Sequence, residues 1–395
     1  MTGFATRAVR SGLPRDATTG ALVETISLST TFSQDRVASP RGAYIYSRSA
    51  NPNRESFEKT ISELEGASYA LAFSSGMAAI GAVVQGLAEN SHIVCMASLY
   101  GGTHRYLTQV APSFACSVTF IDNIETKLAS VVDSCDKPVR LVWIETPSNP
   151  TLSLVDIQAV ADIVHNKGSL LIVDNTFLSP YIQNPLRHGA DLVLHSVTKY
   201  INGHSDVLMG AIALQDPAIY RRLAFLQNAS GAVPSSFDCW LAHRGAKTLH
   251  LRALAASRNA SAIAQMLEDS PHVLRVNYPG LPSHPQRHIV VKQQRNGLGG
   301  GMISFLIRGG KDAARRFCES ARLFTLAESL GGVESLCEVP AAMTHNGMPK
   351  EAREEGGVFD NLIRLSVGIE DVEDLKVDLT RALEEAVSAG SSNPQ

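Results

Sequence analysis

No stretch of the chain holds 18 consecutive apolar residues, so a membrane-spanning helix is not expected. The opening Met1 to Arg10 lacks the unbroken apolar core of a secretory leader, and a cytoplasmic protein is the expectation. Basic blocks are missing too, and the formal net charge is only −3. Neither a nucleic-acid surface nor a membrane-seeking helix is expected; partners should be small molecules and other copies of the chain. The six cysteines, Cys95, Cys116, Cys135, Cys239, Cys318 and Cys337, form no C-x-x-C pair. They read as reduced thiols, mostly in the core, in a reducing compartment. There is no zinc knuckle, no H-E-x-x-H and no P-loop. His284 and His288 stand four apart, but Pro285 between them spoils a helical metal pair, and no metal is expected. Two glycine motifs also fail. Gly203 to Val207 lacks the second glycine of a nucleophile elbow, and Gly297 to Met302 lacks the last glycine of a dinucleotide loop.

What is present is 395 residues, 44% apolar and 18% charged, enough for two packed units. Residues 1–51, rich in Ser, Thr, Gly and Arg, show little periodicity and read as an extended arm. Asn51-Pro52 then starts a helix whose Phe57, Ile61 and Leu64 share a face before Gly66 stops it. From Tyr69 onward short apolar runs begin at Tyr69, Ile93, Val118, Leu141, Leu170 and Leu192, with helical stretches between nearly all of them. Such alternation predicts an α/β unit with a mostly parallel sheet covered on both faces, and ligands then bind beyond the strands' C-terminal ends. The proline-free pattern from Asp238 to Asp269 predicts one long helix bridging to a smaller α+β unit. That unit should carry strands at 302–307 and 362–367 and helices at 312–321 and 371–386, the last presenting Val372, Leu375, Leu379 and Leu383 as one stripe. The resulting division is an arm (1–51), a large domain (52–252) and a C-terminal domain (253–395).

Several strand ends carry chemistry. After the run Leu192 to Leu194 come Ser196, Thr198 and Lys199. An amine beside two hydroxyls suits a lysine that captures an aldehyde while its neighbours grip a phosphate; a surface lysine after a strand is the plainer alternative. Asp174 ends another apolar run, where a carboxylate is costly unless it meets a cation such as a protonated pyridine. Ser74-Ser-Gly-Met77 is a strand-to-helix turn whose backbone N–H groups could bind a phosphate, or a turn that needs glycine for steric reasons alone. Tyr100 could lie over a flat ligand or belong to the core, and Asn149 could reach the same rim or cap a helix. Tyr46 and Arg48 alternate, so in an extended chain they could present a phenol and a guanidinium to one anion. Arg364, inside an apolar strand, requires an anion: a bound carboxylate or a buried structural ion pair.

Assembled, these segments resemble the Cys/Met-metabolism family of pyridoxal phosphate enzymes. The specific matches are Tyr-Ser-Arg-Ser-x-Asn-Pro from 46, Tyr-Gly-Gly-Thr from 100, Glu-Thr-Pro-x-Asn-Pro from 145, Val-Asp-Asn-Thr-Phe from 173, Thr-Lys-Tyr-x-Asn-Gly-His-Ser-Asp from 198, Thr-Leu-Ala-Glu-Ser-Leu-Gly-Gly from 325 and Arg-Leu-Ser-Val-Gly from 364. Within the family, Gly231-Ala-Val-Pro-Ser and the run Tyr278 to Pro285 look most like members that split cystathionine at its Cγ–S bond; members that form cystathionine by γ-replacement come next. The resemblance implies an aspartate-aminotransferase-type fold, pyridoxal 5′-phosphate as cofactor, and a homotetramer of two dimers whose sites are shared between subunits. It assigns Lys199 to the covalent link, Asp174 to the pyridine nitrogen and Tyr100 to stacking on the ring. The phosphate would fall to Gly76, Met77, Ser196 and Thr198, with Tyr46 and Arg48 reaching in from a neighbouring subunit. Arg364, Asn149 and the Ser329 backbone would take the substrate α-carboxylate, and Glu328 and Arg105 would line the distal pocket. The implied products are cysteine, 2-oxobutanoate and ammonia, with hydrogen sulfide release from cysteine as a side activity. One departure bears on specificity: Ile45 stands where such relatives usually carry an acid, which leans toward methionine γ-lyase-like substrates, whereas Gly102 in place of those enzymes' cysteine and the retained Glu328 lean back.

Overall fold

The computed structural model describes residues 2–12 and 18–388. Seven strands form the larger sheet, in the order Tyr69–Phe73, Gly210–Leu214, Leu192–Ser196, Leu170–Asp174, Val139–Glu145, His92–Met96 and Ser117–Ile121. The last five pair in parallel. Strand Gly210–Leu214 runs antiparallel to both its neighbours, and sequence periodicity did not reveal it. All five of its residues are buried, so it has no polar face and no alternation to read. Trp143, Phe73, Ile93 and Ile172 are buried in the core around this sheet. The family fold expected from the sequence, a large mostly parallel sheet with a smaller α+β part, is present.

A second cluster of buried residues gathers on the five-stranded sheet ordered Val273–Asn277, Met302–Ile307, Leu362–Ser366, Leu336–Glu338 and Thr325–Leu326. Helix Val372–Ser388 covers it with Leu375, Leu379 and Leu383, as the spacing predicted. Helix Leu249–Glu268 touches both cores: Leu249 and Ala253 join the first, Ala260, Ile263 and Leu267 the second.

Two expectations are corrected. The pattern from Asp238 to Asp269 is two helices, Ser236–Ala246 and Leu249–Glu268. The break follows Gly245, which packs so closely on Asn202 that a Cβ would lie 2.4 Å from the Asn202 carbonyl oxygen. The Gly245 carbonyl accepts from Thr248 N, Thr248 Oγ1 and Arg252 Nη2. The arm is also not wholly extended. Phe4–Arg10 is a helix that buries Phe4 and Ala8, and Gln34–Arg36 pairs with Ser39–Pro40. Helix Pro52–Glu65 begins and ends as read, with the Asn51 side chain accepting from Asn53 N and Arg54 N, and Gly66 left-handed at its end.

Candidate active site

The parallel strands end together at one edge, and a cavity of about 330 Å³ opens beyond it. Asp174, Glu145 and Ser196 are the last residues of three adjacent strands there. Lys199 follows in a turn closed by its own N–H on the Ser196 carbonyl and by Asn202 N on Val197 O, 3.0 Å. Its Nζ donates to Ser329 Oγ at 2.7 Å. Burial first, and Arg364 second, lower its pKa to about 8, against the pull of Glu338 and Glu328.

Asp174 accepts from Thr176 N at 2.9 Å, and burial raises its pKa. Glu145 stands opposite it in register on the neighbouring strand. Burial, then the Asp174 charge, push Glu145 well above the usual carboxylate range. Two acids side by side cannot both ionise cheaply, and each is pushed above the usual carboxylate range, Glu145 the further. Glu145 also accepts from Tyr100 N through both oxygens, at 2.9 and 3.0 Å, at the start of helix Gly101–Gln109. The Tyr100 ring folds over that first turn. A Cβ on Gly102 would come 2.4 Å from its Cε1, so only glycine permits this pose.

Helix Gly76–Leu87 starts at the same cavity. Ser75 caps it by accepting from Ala78 N, which leaves the amides of Gly76 and Met77 facing the opening. Ser196 abuts this helix start, its Cβ 3.7 Å from where a Gly76 Cβ would lie. Thr198 Oγ1 accepts from Met209 N at 3.1 Å.

Arg364 crosses from the second sheet. Nη1 reaches Asn149 Oδ1 at 3.0 Å and Glu338 Oε1 at 3.1 Å, and Nη2 donates to the Ser329 carbonyl at 2.8 Å. Of the two alternatives raised by the sequence, the buried ion pair is present, and Arg364 also lines the cavity. Its Nε and Glu338 Oε2 have no hydrogen-bond partner. Ser329 sits at φ +90, a strained value for a residue with a side chain, and it serves Lys199 with its hydroxyl and Arg364 with its carbonyl.

Of the residues singled out from sequence, Gly76, Met77, Tyr100, Asn149, Asp174, Ser196, Thr198, Lys199, Glu328, Ser329 and Arg364 line this one cavity. Three do not. Arg105 lies exposed on its helix. Tyr46 and Arg48 lie on the arm, the guanidinium 5.6 Å from the Tyr46 ring centre and bonded to Asn228. Ile45 is half exposed on the same arm. Sequence inspection missed Glu145, Thr176, Thr344 and Glu338. The first three line the cavity, and Glu338 holds Arg364.

The fit to pyridoxal phosphate rests on the donor set. A part-buried carboxylate with no ion pair among the described residues would receive a protonated ring nitrogen, free amides and nearby hydroxyls would cradle a phosphate, and a lowered-pKa amine would join the aldehyde. A cavity with those three features at the C-terminal edge of this sheet defines a pyridoxal-phosphate-dependent enzyme, and the arginine at its far wall suits amino-acid substrates.

Comparison with known proteins narrows the class. The sequence profile described as "Cys/Met metabolism PLP-dependent enzyme" matches residues 5–384. The cystathionine γ-lyase of Saccharomyces cerevisiae is 55% identical over 390 residues, covering 98% of each chain. The crystal structure of cystathionine γ-lyase from yeast superposes with a TM-score of 0.94 at 54% identity, over 98% of both chains. The cystathionine γ-synthase of Xanthomonas oryzae pv. oryzae, solved with aminoacrylate and cysteine, gives 0.94 at 42% identity, over 98% of this chain and 99% of that one. The chain belongs to the Cys/Met metabolism family of PLP-dependent enzymes.

Proposed function

We propose that this chain is a carbon–sulfur lyase that cleaves L-cystathionine at the Cγ–S bond, giving L-cysteine, 2-oxobutanoate and ammonia. The observation that carries it is the meeting of Lys199, Asp174 and Arg364 in one cavity of a chain 55% identical to a cystathionine γ-lyase, against 42% for the γ-synthase. When bound, pyridoxal phosphate supplies an electron sink for charge developing on the substrate carbons. Asp174 would hold the ring nitrogen, Tyr100 would pack on the ring, and Gly76, Met77, Ser196 and Thr198 would hold the phosphate. Arg364 and Asn149 orient the substrate by its α-carboxylate. Lys199 would be the base at the substrate Cα. With a pKa of about 8, roughly a tenth of it is neutral at pH 7, far more than an ordinary lysine offers. Ser329 Oγ keeps that amine within the cavity. Glu328 faces the distal part of the substrate, and Arg105 would serve there only after the helix that carries it shifts or a second subunit completes the site.

The assembly we propose is a homotetramer, with Tyr46 and Arg48 completing a neighbour's phosphate site. Their place on an arm whose Leu22 and Leu28 are more than 70% exposed supports it. We place the enzyme in the cytoplasm because its six free cysteines suit a reducing compartment. The arm, the large domain and the C-terminal domain, 1–51, 52–252 and 253–395, are proposed as its units. Hydrogen sulfide release from cysteine is proposed as a side activity.

The runner-up, γ-replacement, needs the same residues and differs only in whether a thiol or water follows elimination; the fold match to the synthase favours keeping it. The deciding assay offers cystathionine alone, then O-acyl-homoserine with cysteine. Release of 2-oxobutanoate in the first is expected, and net formation of cystathionine in the second without lyase activity would overturn the proposal. Methionine-type cleavage, to which Ile45 inclines, is tested by including methionine in the same panel.

A further inference from the structure

Four arginines are buried among the described residues: Arg54, Arg252, Arg353 and Arg364. Three face an acid: Arg54 faces Glu58, Arg353 faces Asp360 and Arg364 faces Glu338. Arg252 meets only neutral oxygens. Nη1 donates to the Tyr200 carbonyl at 2.7 Å, and Nη2 to the carbonyls of Ile201 at 3.0 Å and Gly245 at 2.8 Å. Nε donates to Thr248 Oγ1 at 3.1 Å. A cation buried without a counter-charge is costly, and burial alone lowers its pKa to about 10.

What its fork holds is the turn that carries Lys199. Tyr200 and Ile201 directly follow Lys199, and their carbonyls are the loose end of a helical turn whose last bond is Gly203 N to Lys199 O, 2.8 Å. A planar cation across those carbonyls caps the turn as a basic residue caps a helix C-terminus. The chain is shaped around it. Gly203 has φ +74, and a Cβ there would lie 2.0 Å from Arg252 Nη1. Gly331, on the opposite side, approaches so closely that its Cβ would lie 2.8 Å from Tyr200 N. The Lys199 turn is thus clamped between the helix that touches both cores and the segment that carries Ser329.

We propose that Arg252 is a positioning residue for the Lys199 amine, fixing the turn from which that side chain reaches into the cavity. This rests on Lys199 being the cofactor-linking amine. Arg252 touches neither the phosphate cradle nor Arg364, so its loss should leave substrate affinity alone and slow the chemistry of the amine.

The test uses the full chain with Arg252→Lys, which keeps a cation but replaces three donor nitrogens by one. With cofactor loaded, kcat is expected to fall by about 10²-fold, the cost of a misplacement near 1 Å, with KM within about twofold. In cofactor-free protein, capture of added pyridoxal phosphate, fixed by borohydride and mapped to residue 199, should slow in parallel. A purely structural role lowers the melting temperature and leaves both rates as they were; that outcome overturns the proposal. Should Arg252→Lys fail to fold, Thr248→Val removes one anchor of the fork, and both rates are expected to drop about fivefold, the worth of one hydrogen bond. Unchanged rates in that variant overturn it equally. A borohydride-fixed adduct at a residue other than 199 in the unaltered chain would instead overturn the assignment of Lys199 itself.

Discussion

In the cofactor-free protein, Lys199→Met is expected to make the folded chain more stable at neutral pH. Folding moves the Lys199 amine into a half-buried position near Arg364, and its pKa falls from 10.5 to about 8. Between those values the unfolded chain binds more protons than the folded one, so stability rises with pH across that window; below pH 8 the full penalty stands. The displacement corresponds to about 3 kcal/mol at most. Water in the open cavity and the Ser329 hydrogen bond screen part of it, which leaves roughly 1–3 kcal/mol. Methionine matches the length of lysine and carries no charge, so it removes the penalty and adds apolar contact. The assay is urea unfolding of cofactor-free protein at fixed chain concentration, because oligomerisation would otherwise shift the midpoint. The variant should show a higher midpoint than the parent at pH 7, an unchanged slope, and a difference that closes as pH approaches 10.5. Equal midpoints at pH 7, or a difference that ignores pH, would refute the account of the amine's environment. A stabilised and inactive variant would also show that the fold tolerates this ammonium for the sake of the reaction.

Four other predictions concern the proposed site. Arg364→Met should weaken inhibition by L-alanine by roughly 10- to 100-fold, the worth of a charge-assisted carboxylate contact, and leave inhibition by ethylamine unchanged; equal losses would remove Arg364 from carboxylate binding. Asp174→Asn cannot balance a cationic ring nitrogen, so cofactor titrations followed by visible absorbance should show weaker binding and turnover should fall by about 10²-fold or more. Glu145→Gln should be nearly silent, because burial beside Asp174 already disfavours a charge there and an amide oxygen can still accept from Tyr100 N; collapse of activity would mean that the carboxylate works as an anion. Arg48→Ala should lose cofactor more readily on dialysis, and mixing it with Lys199→Ala subunits should restore some turnover if sites are shared; mixed oligomers that stay inactive speak against sharing.

Much of this site was legible before any coordinates because its parts obey local rules. Lys199, Asp174 and Gly76 each follow an apolar run, and a polar residue just beyond a buried strand in an alternating pattern has to lie at the ligand-binding edge. Asn51 and Gly66 announced a helix by capping chemistry that needs no tertiary context. The omissions share a different cause. Glu145 matters because it stands opposite Asp174 across a strand pair, and Glu338 because it stands opposite Arg364 across another. Register between strands distant in sequence is set by the whole sheet, so a single strand read alone cannot display it. The same holds for Arg252, which in sequence is one charge in an Ala- and Leu-rich helix, and whose partners Tyr200 and Ile201 lie about fifty residues earlier. Local pattern identified groups that line the cavity. The groups that set their charge and aim, a second acid beside Asp174, a counter-charge behind Arg364 and a fork under the Lys199 turn, are each a pairing across the fold. A site built this way holds a lowered-pKa amine and a buried guanidinium in one cavity because each has a partner beside it, the Ser329 hydroxyl for Lys199 and the Glu338 carboxylate for Arg364.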